Sequence, residues 1–182
     1  MAEDITWQMF MSRHERPSVA VDVVVFRLHE GRLKVLLINR RNPPFQRMWA
    51  IPGGFVGINE SLEDAARREL EEETGVHDVY LEQLYTFGAP NRDPRMRVIS
   101  VVYYALIPQT QGDVRAGDDA SQTEWYSVDS LPPLAFDHTT ILTYAVKRLR
   151  YKLEYADVAF RILPDKFTLS ALQSAYEIIL GV

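Results

Sequence analysis

The 182-residue chain contains no cysteine, no apolar run of membrane-spanning length and no cluster of basic residues. Without cysteine there can be no disulfide, no thiolate metal ligand and no thiol nucleophile, and the composition fits a reducing compartment. No apolar stretch approaches the roughly 20 residues that a membrane helix requires. Lys and Arg number 20 against 25 Asp and Glu, a net charge of −5. With no stripe of cations to neutralise phosphates, sequence-independent nucleic-acid binding is disfavoured. Met1-Ala2-Glu3-Asp4-Ile5-Thr6 lacks the basic and apolar regions of a secretory leader, so a cytoplasmic location is expected. Histidines 14, 29, 77 and 138 are too scattered for a zinc pair.

What the chain does have is a dense run of carboxylates behind two glycines. Gly54, Glu60 and then Arg68-Glu69-Leu70-Glu71-Glu72-Glu73-Thr74-Gly75-Val76 are separated by five and seven residues. Ser61 reads as an N-cap, Glu63 and Asp64 suit the first turn of a helix, and Gly75 suits a left-handed C-terminal position. At about 100° per residue, Leu62, Ala65, Ala66 and Leu70 form one apolar arc, while Glu63, Asp64, Arg67, Arg68 and Glu71 fall on the wet side. Glu73 falls between Leu62 and Ala66, Glu69 between Leu62 and Ala65, and Glu72 at the edge of the same arc. Carboxylates aimed toward a core repel one another and lose hydration, so they need a cation or raised pKa values. An all-oxygen site suits a hard ion such as Mg²⁺ or Mn²⁺.

These residues resemble the Nudix box, with every fixed position present, and the chain is similar to the Nudix hydrolase superfamily. That resemblance implies an α/β (α+β) domain, an α/β/α sandwich around a mixed sheet, which hydrolyses a nucleoside diphosphate linked to another group. It also implies roles. Glu69 and Glu73 would be the main Mg²⁺ ligands, with the Gly53 carbonyl completing the shell. Glu72 would be a ligand or water activator, and an Arg68–Glu60 ion pair would orient the helix.

The rest of the chain supplies the layers. Residues 1–17 read as a polar lead-in, partly helical around Trp7 to Met11. Residues 18–152 carry the domain: a β-branched strand from Val19 to Phe26, a hairpin partner from Leu33 to Ile38, the metal helix, strands near 79–87, 98–107 and 124–128, and a helix near 139–151. Strands, helix, strands, helix indicate a layered domain. Residues 153–182 read as a short C-terminal helical segment, with Leu169, Leu172, Tyr176, Ile179 and Leu180 at helical spacing and Thr168 or Ser170 as cap.

Substrate candidates cluster in Pro90-Asn91-Arg92-Asp93-Pro94-Arg95-Met96-Arg97, where Arg92, Arg95 and Arg97 could clamp a diphosphate or simply decorate a turn. Arg40 and Arg41 are weaker candidates of the same kind. Trp49 and Phe87 could stack on a base or fill core. The Arg92-Asp93-Pro94-Arg95 run and the position of Pro90 resemble the ADP-ribose pyrophosphatase branch, which splits ADP-ribose to AMP and ribose 5-phosphate. In that branch a later acidic loop can supply the base, here Asp118, Asp119 or Glu124. Residues 131–138 and the tail are also similar to NrtR-type regulators, which join an ADP-ribose-binding Nudix domain to a winged helix. Two residues after Leu180 leave no room for that module, so a working hydrolase is the expectation, with an ADP-ribose sensor as the alternative. The resemblance further implies a homodimer.

Overall fold

The computed structural model describes residues 16–108, 120–156 and 158–182. The expected lead-in helix and the acidic candidates Asp118 and Asp119 lie outside these residues. Strand β1 (Ser18–His29) explains the layering. Val21, Val23 and Val25 pack into one apolar cluster and Val24 and Phe26 into a second, all of them solvent-free. A strand covered on both faces reads as a continuous β-branched run rather than an alternating one. β1 turns through Glu30 and Gly31, both at positive φ (52° and 68°), into antiparallel β2 (Arg32–Arg40). Such a two-residue turn matches the twist of a hairpin.

Five further strands complete a seven-stranded mixed sheet: β3 (Trp49–Ala50), β4 (Gly53–Phe55), β5 (Tyr80–Phe87), β6 (Val98–Leu106) and β7 (Ala120–Ser127). β6 runs parallel to β1, whereas the other pairings are antiparallel. β2 takes the Phe26–His29 end of β1 and the short β4 takes the Ala20–Asp22 end. The two glycines of β4 are thereby set into the sheet beside β1.

Helix α1 (Leu62–Thr74) covers one face with Ala65, Ala66 and Leu70. The Ser61 hydroxyl accepts from the Asp64 amide at 3.1 Å, and Gly75 closes the helix at φ 71°. One position departs from the helical-wheel reading. Leu62, expected in the apolar arc, is an exposed large side chain, while Thr74 is fully buried. Burial costs Thr74 little because its hydroxyl donates to the Leu70 carbonyl at 2.5 Å. The other face carries α2 (His138–Lys152), α3 (Val158–Ile162) and α4 (Leu169–Leu180). Ile141, Leu142, Leu149, Ile162 and Ile179 join the cluster over Val24 and Phe26. Thr168 caps α4 by accepting from the Ala171 amide at 3.1 Å. Of the spaced apolar residues in α4, Ile179 is buried, while Leu169 is open to solvent.

Leu70→Ala is expected to cost about 2–5 kcal/mol, whereas Leu62→Ala should stay within about 1 kcal/mol. Urea unfolding of both variants checks the assignment, and equal losses would contradict it.

Candidate active site

The site is built where β4 meets α1. A β-carbon on Gly53 would collide with the Val21 carbonyl and with Asp22, and one on Gly54 would collide with the Glu69 carboxylate. Only glycine lets the helix carboxylates lie this close to a strand. The Gly53 amide donates to Glu73 Oε2 at 2.8 Å, and Glu73 is buried at 7 % exposure. Arg68 then ties three acids together. It holds Glu60 through Nε and Nη2 (3.0 and 2.7 Å), Glu69 through Nη1 (2.7 Å) and Glu72 through the same Nη1 (3.1 Å). Hydrogen bonding from Arg68 and from the Gly57 amide lowers Glu60 to about 2. Glu69 moves the other way: burial raises its pKa, and the bond from Arg68 offsets this only in part.

Glu60, Arg68, Glu69 and Glu73 line a cleft of about 840 Å³ that Arg40, Arg41 and Arg95 also line. That volume falls within the range of roughly 300–1,000 Å³ usual for small-molecule sites. Arg95 is fixed by two bonds to Asp93, 3.0 Å from Nε and 2.7 Å from Nη2. Arg40 donates from Nε to the Pro44 carbonyl at 3.0 Å.

The remaining candidates go elsewhere. Arg92 is buried and makes a two-bond pair with Asp137 (3.1 and 2.8 Å), with Asp22 a further 3.5 Å contact. It secures the loop rather than facing the cleft. Arg97 bonds the Ala89 and Val98 carbonyls and does not line the cleft. Trp49 packs against Tyr126 and Phe87 against Tyr85 and Tyr144, both against the core beneath α2. Their rings serve packing because β2, β3 and β5 direct them there. Glu72 is exposed beside Arg68 and likewise does not line the cleft. Glu124 accepts from Tyr126 at 3.0 Å.

A buried polar cluster escaped the sequence reading. Asp22 accepts from Ser100 and approaches Arg92, and its Oδ1 lies 3.7 Å from His138 Nε2. His138 Nδ1 accepts from the Ile51 amide at 2.9 Å, pinning the strand that leads to Gly53. One signal was present: an aspartate inside a solvent-free valine run must find a partner. Full burial lowers the His138 pKa.

Residues 16–145 match the NUDIX domain family. The chain belongs to the Nudix family. It is 37% identical, over 96% of its length, to the ADPR responsive transcriptional repressor NtrR of Acinetobacter baylyi, and spans 73% of that protein. It is 43% identical, over 69% of its length, to the ADP-ribose pyrophosphatase of Methanocaldococcus jannaschii, and spans 71% of it. Among solved structures, the Nudix domain of Shewanella oneidensis NrtR in complex with ADP ribose matches at 36% identity with a TM-score of 0.70. That match covers 76% of this chain and 92% of the other.

Nudix hydrolases work with a divalent cation, and the chemistry of this donor set suits one. The acids are all oxygen donors, Gly54 keeps the wall open against Glu69, and the burial of Glu69 is only partly offset by Arg68. Among the described residues no three acidic or imidazole side chains converge as they stand. Glu69 and Glu72 are turned toward Arg68, and Glu73 is turned toward Gly53.

Two outcomes follow from these pKa directions. Because the unfolded state holds a proton on His138 more tightly than the fold does, stability should fall as pH drops below about 6.5, by at most about 1.4 kcal/mol per pH unit. His138→Gln should lose this part of the dependence, read from urea midpoints near pH 7.5 and pH 5. Ionised Glu69 is buried at a cost, so Glu69→Gln should raise the melting temperature at neutral pH in chelator. A lower melting temperature would mean that the Arg68 bond outweighs burial.

Proposed function

We propose that the chain is a divalent-cation-dependent pyrophosphohydrolase of nucleoside diphosphate derivatives, and that its preferred reaction is ADP-ribose to AMP and ribose 5-phosphate. The observation that carries this reading is the cleft itself, lined both by helix carboxylates and by guanidinium groups. An anionic diphosphate has no reason to enter a carboxylate-lined cleft unless cations offset the wall. In this reading Glu69, Glu72, Glu73 and the Gly53 carbonyl would hold Mg²⁺ or Mn²⁺, which supplies charge neutralisation and polarisation at the phosphoryl group.

The chain's own groups do the rest. Arg95 and Arg40 bind the diphosphate, each with its stem anchored so that little rotamer freedom is lost on binding. Arg68, with Glu60, keeps the Glu69 carboxylate ionised and in place. The Gly53–Glu73 bond keeps strand and helix in register across the reacting centre. Asp119 stays a candidate base by resemblance. A homodimer in the cytoplasm belongs to the same reading. No helix among the described residues is long and apolar enough to cross a membrane.

The relatives favour ADP-ribose in two ways, as the substrate of one and, by its name, as the effector of another. A sensor that binds ADP-ribose without cleaving it is therefore the second reading. Incubation with ADP-ribose and Mg²⁺ should release AMP, and Glu73→Gln should slow release by at least about a hundredfold. Tight binding without turnover of any nucleoside diphosphate derivative would favour the sensor. Arg95→Ala is expected to raise KM about tenfold while kcat changes less than about threefold, because Arg95 grips substrate in ground and transition state alike. Equal losses in kcat and kcat/KM would instead place it in the transition state.

A further inference from the structure

The two anchored guanidinium groups of the cleft share aromatic neighbours. The Arg95 guanidinium lies 5.4 Å from the centre of the Phe55 ring and 5.9 Å from that of Phe136, and the Arg40 guanidinium lies 4.8 Å from the Phe136 ring. Phe136 is the ring that both cations share. Phe136 also meets Phe45 edge-on at 4.8 Å and leans on His138 at 5.3 Å.

Its backbone is unusual for so bulky a residue, with φ at 51° in the left-handed region. Such a conformation costs on the order of a kilocalorie and persists only where the surroundings over-determine it. Here they do. The Ala135 amide donates to the Trp49 carbonyl at 2.8 Å, Asp137 is paired to Arg92, and His138 is bonded to Ile51.

We propose that Phe136 is a positioning residue: its ring is within reach of both Arg40 and Arg95 and holds both guanidinium groups ready to grip a diphosphate. Two like charges in one cleft repel, and Arg40 is already disfavoured by burial and by the charge of Arg95. An aromatic ring offers each of them a negative face without adding a carboxylate that would repel the ligand. The anchoring bonds of both groups run through Nε and Nη2, which leaves the Nη1 donors to a ligand. The inference rests on the hydrolase reading only for the larger molecule to which the diphosphate belongs.

Phe136→Leu and Phe136→Tyr both retain a β-carbon, so both meet the same backbone cost and differ in the ring. Inorganic diphosphate is titrated calorimetrically into each protein in buffer containing Mg²⁺, so that cations offset the carboxylates of the cleft. The wild type and F136Y should bind alike, and F136L should bind about tenfold more weakly. In ¹H–¹⁵N spectra the Nε–H signals of Arg40 and Arg95 should both shift in F136L, as the ring current is lost, and remain in place in F136Y. Phe55→Leu should shift the Arg95 signal alone, a readout that survives if F136L does not fold.

Equal diphosphate affinity in wild type and F136L, arginine signals that stay in place, or a wild type that does not bind diphosphate would each overturn the assignment. AMP release from ADP-ribose is scored separately. A wild type that binds diphosphate and loses it on F136L, yet cleaves no ADP-ribose, sinks the hydrolase reading and leaves the role of Phe136 standing.

Discussion

Glu73 accepts from the Gly53 amide at 2.8 Å, and the Glu69 carboxylate occupies the space that a β-carbon on Gly54 would fill. Through these two contacts α1 and β4 cannot shift independently. β4 in turn is paired to the Ala20–Asp22 end of β1, a strand whose Val21 and Val23 to Phe26 are solvent-free. The acids are therefore referenced to the centre of the sheet rather than to a loop. A site on rigid elements holds its groups to within fractions of an ångström, which charge-dependent chemistry requires.

That placement has a cost that the rest of the helix offsets. Glu69 and Glu73 give up hydration, and Arg68 returns part of it by bonding Glu60, Glu69 and Glu72 at once. The offset is incomplete, as the raised pKa of Glu69 indicates. A cation in the cleft would complete it, so the same acids that weaken the empty fold would strengthen the occupied one. Among the arginines of and around the cleft the problem has the other sign. Arg92 is neutralised by Asp137 and Asp22, Arg95 by Asp93, and Arg40 has backbone carbonyls and an aromatic face.

Much of this was legible in advance, for reasons that can be named. The caps Ser61 and Gly75, the inward Glu69 and Glu73 and the two-sided burial of β1 follow from local periodicity and from residues with narrow backbone preferences. Leu62 was misplaced because a helical wheel treats all turns alike, whereas the buried residues of α1 fall between Ala65 and Thr74 and its first residue lies open. The arginine loop could not be resolved from spacing. Three arginines within six residues meet three different environments, set by Asp137 on another element, by Asp93 two residues away and by backbone carbonyls.

By itself the sequence determined the family, the metal-suited helix with its glycine approach, and the hairpin that starts the sheet. Each is encoded within a window of about twenty residues, where spacing and side-chain type suffice. Only the tertiary structure decided which arginines reach the cleft, that Trp49 and Phe87 serve the core, and that Asp22, Ser100, Arg92 and His138 share one buried cluster. It also decided that Phe136 is shared by two cations. Those contacts join residues tens of positions apart, and their partners are chosen by sheet order and burial, which no local window contains.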